Sequence, residues 1–558
     1  MNQVKQYVML FLLVIVVSGV NTAVTAQTID KHLADKVDSL FSQFNSSTPG
    51  CAIGIMQDGK IIYEKGYGLA NLEYNVPITP QTIFHMASVS KQFTAFAIVL
   101  LAQQGKISLN DDIRTYLPEV PDFGTKITIN HLLHHTSGLR DQWELLMMSG
   151  FRLDDVITTE HILKLVAHQK ELNFAPGDEF MYCNTGYTLL GEIVKRVSGK
   201  SFDEFTRENM FTPLGMTNTH FHMDHEEIVR NRAYSYNQGA GGTFKNAVLS
   251  YANGGATSLF TTIDDMAHWV NNFSTPVVGG TKAIDQMMEK GVLTNGTTID
   301  YAFGLGIDKY KGLNRIAHGG GDAGFRTNVT IFPDQKFAVI IFSNAGYFDP
   351  GRSANMIADI FLADRFQGDV AQAQPKERKE VAIDPKVLEP YAGSYSLFPG
   401  FTLTVTQEGG KLMVQATGQE KFEVYPESET EFFYKVVDAQ ITFEQPIDGK
   451  CNKLTLHQGG RNMPGNRMLQ SPPGIDDLRE YEGNYYSEEL GTSIAIAAKD
   501  SSLRVIDRRN EDLKLNVELK DVFSANMATI KFTRNEKNKI SGLQVTSGRV
   551  RKLTFVKQ

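Results

Sequence analysis

The chain is poor in cysteine. Cys51, Cys183 and Cys451 are an odd, widely scattered trio in 558 residues, which excludes a disulfide framework as the source of stability. It also lacks a charge excess: a formal net charge of −8, with 42% hydrophobic and 21% charged residues, leaves no basic footprint and excludes nucleic acid as a partner. The apolar run from Val8 to Val17 is too short to span a bilayer. No His-Glu-x-x-His pattern accompanies His131, His134 and His135, or His220, His222 and His225, so both clusters are read as structural, the second in a polar loop, and no metal is expected.

What is present begins with an address. Lys5, the run Val8 to Val17 and the small-residue exit Val24-Thr25-Ala26 form the pattern of a secretory signal over residues 1–26. Export to the periplasm or beyond is expected, with no stable membrane anchor because no cysteine lies at the cleavage point. At this length, several domains are expected.

The chemistry centres on Ser88-Val89-Ser90-Lys91, the one Ser-x-x-Lys in the chain, followed by the apolar run Phe93 to Leu101. The run predicts a buried helix with Ser88 at or near its first turn, which sets Ser88 and Lys91 on one face. A serine hydroxyl needs a nearby base to become a nucleophile. An amine one turn away can serve, and the helix N-terminus favours both the alkoxide and the neutral amine.

Upstream, residues 30–44 carry a helical pattern. Cys51 to Met56 and Ile61 to Gly68 flank Asp58-Gly59 as a hairpin. Two later stretches answer Ser88. Tyr182-x-Asn184 sits between a Pro-Gly-Asp turn and the helical run from Tyr187 to Val194; a phenol can relay a proton, and an amide can hold a lysine or a carbonyl. His318-Gly319-Gly320-Gly321 opens a hairpin, and its glycines mark a place where another backbone must come close, an extended substrate being one candidate.

Together, Ser88-x-x-Lys91, Tyr182-x-Asn184 and His318-Gly319-Gly320 resemble the three active-site motifs of the serine β-lactamase and penicillin-binding protein superfamily. Supporting stretches are Leu132 to Leu139, Pro213 to Met216, Gly254-Gly255 to Asp265, and Phe303 to Gly306, the last expected as strand. The resemblance implies Ser88 as acylated nucleophile, Lys91 as base, Tyr182 as proton relay, and Asn184 as partner of Lys91 and substrate. It further implies Gly319, Gly320 and Gly321 along the substrate, with the N–H groups of Ser88 and Gly321 as oxyanion hole. His318 is expected to assist proton transfer, and no cofactor is implied. The third motif departs from Lys-Thr-Gly. Histidine supplies no fixed positive charge, which favours an esterase, amidase or D-amino-acid peptidase over an efficient β-lactamase. Arg326 reads as a solvated loop arginine.

Beyond a polar linker at 366–385, Leu388 to Tyr395 matches Leu478 to Tyr485 at an offset of 90, and each copy continues in short alternating strands. The expected architecture is α+β: a β-lactamase-like domain over 27–365, an antiparallel sheet flanked by helices, then two lipocalin-like antiparallel barrels at 386–470 and 475–558. In the D-aminopeptidase branch that this layout resembles, a barrel loop reaches the cleft and restricts substrates. The expected activity is hydrolysis of an ester or amide of a small molecule or short peptide through a Ser88 acyl-enzyme. A penicillin-binding D,D-peptidase or weak β-lactamase is the alternative, and a catalytically silent binding protein is the alternative of another class. Oligomeric state is left open.

Overall fold

The computed structural model describes residues 29–366, 378–398, 401–458, 461–468, 475–506, 511–525 and 528–558. The expected signal segment, most of the expected linker and the Ser471-Pro472-Pro473-Gly474 separator lie outside the described residues.

The first domain is built on one antiparallel sheet. Helix α1 (Lys31–Leu40) starts where the Asp30 carboxylate accepts a hydrogen bond from the His32 N–H at 2.6 Å. Strands β1 (Cys51–Gln57) and β2 (Lys60–Tyr67) follow as a hairpin. Asp58 and Gly59 both take positive φ, 51° and 76°, the backbone a two-residue type I′ turn demands and the reason Asp-Gly stands there. Next come the short strand β3 (Phe84–His85), α2 (Ser90–Gln103), α3 (Asn184–Ser198), β4 (His220–Phe221), β5 (Leu259–Thr261) and α4 (Ile263–Ser274). Strands β6 (Gly306–Tyr310), β7 (Leu313–Asp322), β8 (Phe325–Phe332) and β9 (Phe337–Ser343), then α5 (Pro350–Phe361), complete the domain. The sheet order is β6-β7-β8-β9-β1-β2, so first and last thirds of the domain meet at β9 and β1. The expected strand over Phe303 to Gly306 begins only at Gly306. Gly304 holds φ +69° and lies against the Lys91–Gln92 backbone, too close for a side chain, so this stretch turns instead of extending.

The two faces of the sheet bury different sets, as the alternation of a strand requires. Ile53, Ile55, Val339 and Ile341 pack with Val37 of α1 and Ile357 of α5. Ala52, Met56, Ile340 and Phe342 face α2 and α4. In α2 the twelve residues Ser90 to Leu101 are all buried, the state expected of a helix that is apolar around its circumference. Trp269 of α4 packs on Phe93 and Phe96, ring centroids at 4.4 and 5.1 Å, and donates its indole N–H to Gln92 Oε1 at 2.6 Å. Such a wedge of large aromatics, each contributing roughly 2–3 kcal/mol by burial, anchors the helix that carries the reactive end.

The repeat forms two closed eight-stranded antiparallel barrels, Gly393–Phe398 through Arg461–Arg467 and Gly483–Ser487 through Val550–Lys557. The repeated tyrosines close each barrel's entry turn: Tyr395 Oη donates to Tyr391 O at 2.8 Å, and Tyr485 Oη to Tyr481 O at 2.6 Å. A cation at the same offset completes the likeness. Arg467 donates to the Cys451 and Ala392 carbonyls, and Lys557 to Glu480 O at 3.0 Å. All three cysteines are free and buried. Among the described residues no helix is long and apolar enough to cross a membrane.

Candidate active site

Ser88 lies in a tight turn, Ala87–Val89, that runs directly into α2. Ala87 is held at φ +48°, an unfavourable angle for a residue with a Cβ, and the cause is visible: β7 and β8 press on the turn. A Cβ on Gly320 would stand 2.4 Å from Met86 O and 3.0 Å from Ala87 Cβ, while Thr327 Oγ1 donates to Met86 O at 2.8 Å. Gly320 is therefore required by the protein's own backbone. Gly319 is different, since a Cβ there would meet nothing nearer than 3.6 Å. Beyond Ala317, β7 pairs with β8 alone, so His318 to Asp322 present a free strand edge beside Ser88.

Lys91 is fully buried, and its Nζ donates to Asn184 Oδ1 at 2.8 Å, to Ala256 O at 2.8 Å and toward Ser88 Oγ at 3.1 Å. Its pKa falls to about 7, chiefly through burial, with the Arg549 charge adding to the fall and Asp322 and Asp141 opposing it. Once neutral, the amine keeps two hydrogens for the two carbonyl-type acceptors, and its lone pair is left facing Ser88 Oγ. The rings of Tyr182 and Tyr187 lie 4.8 and 5.6 Å from Nζ.

The Tyr182 hydroxyl is buried, and burial pushes its pKa up, with Ser88 and Arg549 pulling it back. Among the described residues Tyr182 Oη makes no hydrogen bond of good geometry, and Ser88 is the neighbouring side chain that faces it. His135, at φ +58°, stacks on this tyrosine with centroids 4.2 Å apart and accepts the Cys183 N–H at 3.0 Å. Asn184 opens α3, and its N–H and Nδ2 both donate to Asp141 Oδ2, at 2.6 and 2.9 Å.

His318 does not have the freedom to move protons that the sequence suggested. Its Nδ1 donates to Gly319 O at 2.7 Å and its Nε2 accepts from Tyr301 Oη at 3.0 Å; burial and the Lys91 charge lower its pKa to about 4. It is a neutral, fully engaged wall of the cleft. Arg326 likewise departs from expectation. It lies in β8, half-buried, and its Nη1 turns back to the Ala323 and Phe325 carbonyls at 3.2 and 2.7 Å. The charge left at the rim is Asp322, whose Oδ2 meets His85 Nε2 at 3.1 Å and accepts from Thr257 Oγ1.

The second barrel reaches this site from behind. Between strands Ile540–Ser547 and Val550–Lys557 the turn Gly548-Arg549 docks on the first domain: Arg549 Nη2 lies 3.2 Å from the fully buried Asp141 carboxylate and Nε donates to Glu144 Oε1 at 3.0 Å. Arg549 O accepts from Asn173 Nδ2 at 2.9 Å, Arg551 pairs with Glu179, and the buried Arg140 pairs with Glu489 at 2.8 Å. A side chain on Gly548 would stand 2.8 Å from Glu144 Oε1. Burial and neighbouring Asp141 push Glu144 well above the usual carboxylate range, and Arg549 opposes this.

Sequence reasoning named Ser88, Lys91, Tyr182, Asn184 and His318 to Gly321, and these do converge on one cleft. It missed Ala256 O, Asp141, His135, Tyr301 and Arg549. The histidines at 220–225 were placed in a polar loop. His220 instead lies in β4 and His222 is buried, because a two-residue strand is too short to show a period.

The β-lactamase family profile matches residues 33–362, and a second profile, described as "Domain of unknown function (DUF3471)", matches residues 377–467. The chain is 29% identical over 451 residues to Penicillin-binding protein 4* of Bacillus subtilis (strain 168), covering 77% of this chain and 97% of that one. It is 26% identical over 296 residues to the D-aminopeptidase of Gluconobacter oxydans (strain 621H), covering 53% of this chain and 56% of the relative. Among solved structures, the octameric penicillin-binding protein homologue from Pyrococcus abyssi shares the fold, with a TM-score of 0.55 at 22% identity over 86% of this chain and 98% of that one.

Proposed function

The chain belongs to the β-lactamase family, and we propose that within it this protein is an exported serine hydrolase that cleaves an ester or amide through a Ser88 acyl-enzyme. The observation that carries the reading is the Lys91 amine, fixed by Asn184 Oδ1 and Ala256 O with its remaining position on Ser88 Oγ. Neutral Lys91 takes the Ser88 proton as Oγ attacks the substrate carbonyl. The oxyanion is held by the Ser88 and Gly321 N–H groups. Tyr182 Oη hands a proton to the leaving group and regains one from the Lys91 ammonium through Ser88, and water, deprotonated by the restored Lys91 amine, then attacks the acyl-enzyme and releases the acid.

Charge selects the substrate class. Among the described residues a substrate carboxylate would find no free cation where the third motif ordinarily supplies one, since Arg326 is turned onto its own hairpin and the rim carries Asp322. The site therefore suits an uncharged ester, or an amide or short peptide with a free amino group near Asp322, more than a carboxylate-bearing β-lactam. A second reading, a penicillin-binding D,D-peptidase or weak β-lactamase, is favoured by the relative that matches the greater length of the chain.

The test is labelling by a fluorophosphonate probe, wild type beside Ser88→Ala, with and without penicillin. Labelling confined to wild type and indifferent to penicillin supports the esterase or D-aminopeptidase reading, and loss of label after penicillin favours the second one. Equal labelling of both proteins, or none, overturns the Ser88 assignment.

A further inference from the structure

Outside the cleft, one cluster of ligating side chains stands on the three-stranded sheet β3-β5-β4. His220 and His222 are two apart along the strand that starts with β4, so their imidazoles share a side while Phe221 between them enters the core. The His222 N–H donates to Ser258 O at 2.8 Å, which extends the pairing of β4 with β5. Both rings rest on Phe260, the stacked His220 at 5.7 Å and the tilted His222 at 4.9 Å. The loop that follows returns at Glu227, whose N–H donates to Asp224 O at 3.2 Å. Its carboxylate Oε2 then lies 3.6 Å from His222 Nδ1.

We propose that His220, His222 and Glu227 form a binding site for a divalent transition ion of the zinc class. One ligand atom from each lies within 4.8 Å of the others. Ligands of a tetrahedral ion with bonds of about 2.0–2.1 Å sit roughly 3.3 Å apart, a distance these side chains reach by small rotations. Two imidazoles and one carboxylate form a donor set that suits zinc better than calcium or magnesium, which take oxygen.

The independent observation is polar satisfaction. His220 Nε2 and His222 Nδ1 are buried without a hydrogen-bond partner among the described residues, and His222 is 97% buried, so two ring nitrogens of the cluster are left unsatisfied away from water. Burial keeps both rings toward the neutral, ligating form, and Arg232, whose guanidinium lies 5.0 Å from the Phe260 ring, adds to this. The same guanidinium opposes a bare cation. The carboxylate of Glu227, with Asp203 and Asp224 nearby, supplies the compensating charge. With half of the Glu227 side chain exposed, water can complete the coordination. Binding would staple the loop after His222 to the sheet whose far strand carries His85, the partner of Asp322 at the cleft rim.

The test is titration of the metal-free full-length protein with zinc sulfate by calorimetry, alongside His220→Gln and Glu227→Gln. The expected result is one equivalent bound, weakened by about 100-fold or more in either variant, with a zinc-dependent rise in melting temperature confined to wild type. Cobalt(II) in place of zinc should give the intense visible bands of a tetrahedral site. Fluorophosphonate labelling of Ser88 in the metal-free variants checks that they are folded. Absence of stoichiometric binding to wild type, or equal binding by correctly folded variants, overturns the proposal.

Discussion

Arg549 of the second barrel lies 3.2 Å from the carboxylate of Asp141, a residue with no exposed surface. Asp141 grips the N–H and side-chain amide of Asn184, and Asn184 Oδ1 receives a hydrogen bond from Lys91. The barrel thus ends a relay of four polar groups whose other end is the Lys91 amine beside Ser88. Barrels of this kind are readily taken as spacers, but the second one supplies a charge that the buried carboxylates Asp141 and Glu144 of the first domain need.

Replacing Arg549 by glutamine should raise the Lys91 pKa. The guanidinium lowers it directly and offsets Asp141, which raises it. With Lys91 as the neutral base proposed above, the acid limb of kcat/KM, expected near pH 7 in wild type, should move up by about 1 pH unit in Arg549→Gln. Melting should fall as well, by roughly 2–3 kcal/mol, since the variant leaves Asp141 and Glu144 buried together without their cation. An unmoved pH limb would reduce Arg549 to a docking contact.

Lys91 also sets how stability responds to pH. Its pKa drops from the model-peptide value of 10.5 to about 7 on folding, so between these values the unfolded chain holds a proton that the folded one does not. Stability therefore rises with pH across that window, by at most about 1.4 kcal/mol per unit; the cost of the buried amine grows as pH falls from 10.5 toward 7 and is constant below it. Lys91→Met should abolish labelling of Ser88 and be more stable than wild type at pH 6.5, with the advantage shrinking toward pH 9. Urea melts at the two pH values decide it; a constant difference between the proteins would contradict the depressed lysine.

Neighbouring glycines of the third motif should behave unlike one another. In Gly320→Ala the new methyl group collides with the backbone of Met86 and with Ala87, moving the turn that carries Ser88. A displacement near 1 Å costs about 100-fold in acylation, and the strain about 1–3 kcal/mol of stability. Gly319→Ala meets ordinary contacts and should label with fluorophosphonate like wild type, losing rate only on substrates that extend along the free edge of β7. Equal damage by both would mean that the motif's glycines answer to substrate alone.

The sequence carried the parts of this architecture that have a period or a fixed spacing. The Ser88 helix announces itself by its apolar run, the first hairpin by Asp58-Gly59, and the barrels by the tyrosines repeated at an offset of 90. What it hid are contacts between distant segments. Arg549 and Asp141 are brought together across a domain boundary, and Ala256 contributes a backbone carbonyl that no side chain advertises. One signal was available. Between Gln458 and Arg461 the first copy's sequence carries Gly459-Gly460, whereas between Ser547 and Val550 the second carries Gly548-Arg549, and that divergence inside a repeat marks the copy that does more than fold. His318 was misjudged for a related reason: Tyr301, which occupies its Nε2, lies in an irregular segment with no motif of its own.

Asp322 offers the sharpest separation of substrate binding from base strength. Its carboxylate is partly exposed at the rim, anchored through Oδ2 by His85 and Thr257, and its charge raises the Lys91 pKa. Asp322→Asn keeps the size and the capacity to accept from Thr257 but removes the charge. The acid limb should then shift to lower pH, opposite in sign to Arg549→Gln, for every substrate. Selectivity should change for one class only. A D-amino-acid amide with a free amino group should lose kcat/KM, mainly through KM, by about 10-fold, the equivalent of about 1.4 kcal/mol for one partly solvated charge contact, while an uncharged aryl ester keeps its rate above pH 8. If the amide and the ester respond alike, the rim carboxylate does not read an ammonium, and the substrate is to be sought among uncharged esters.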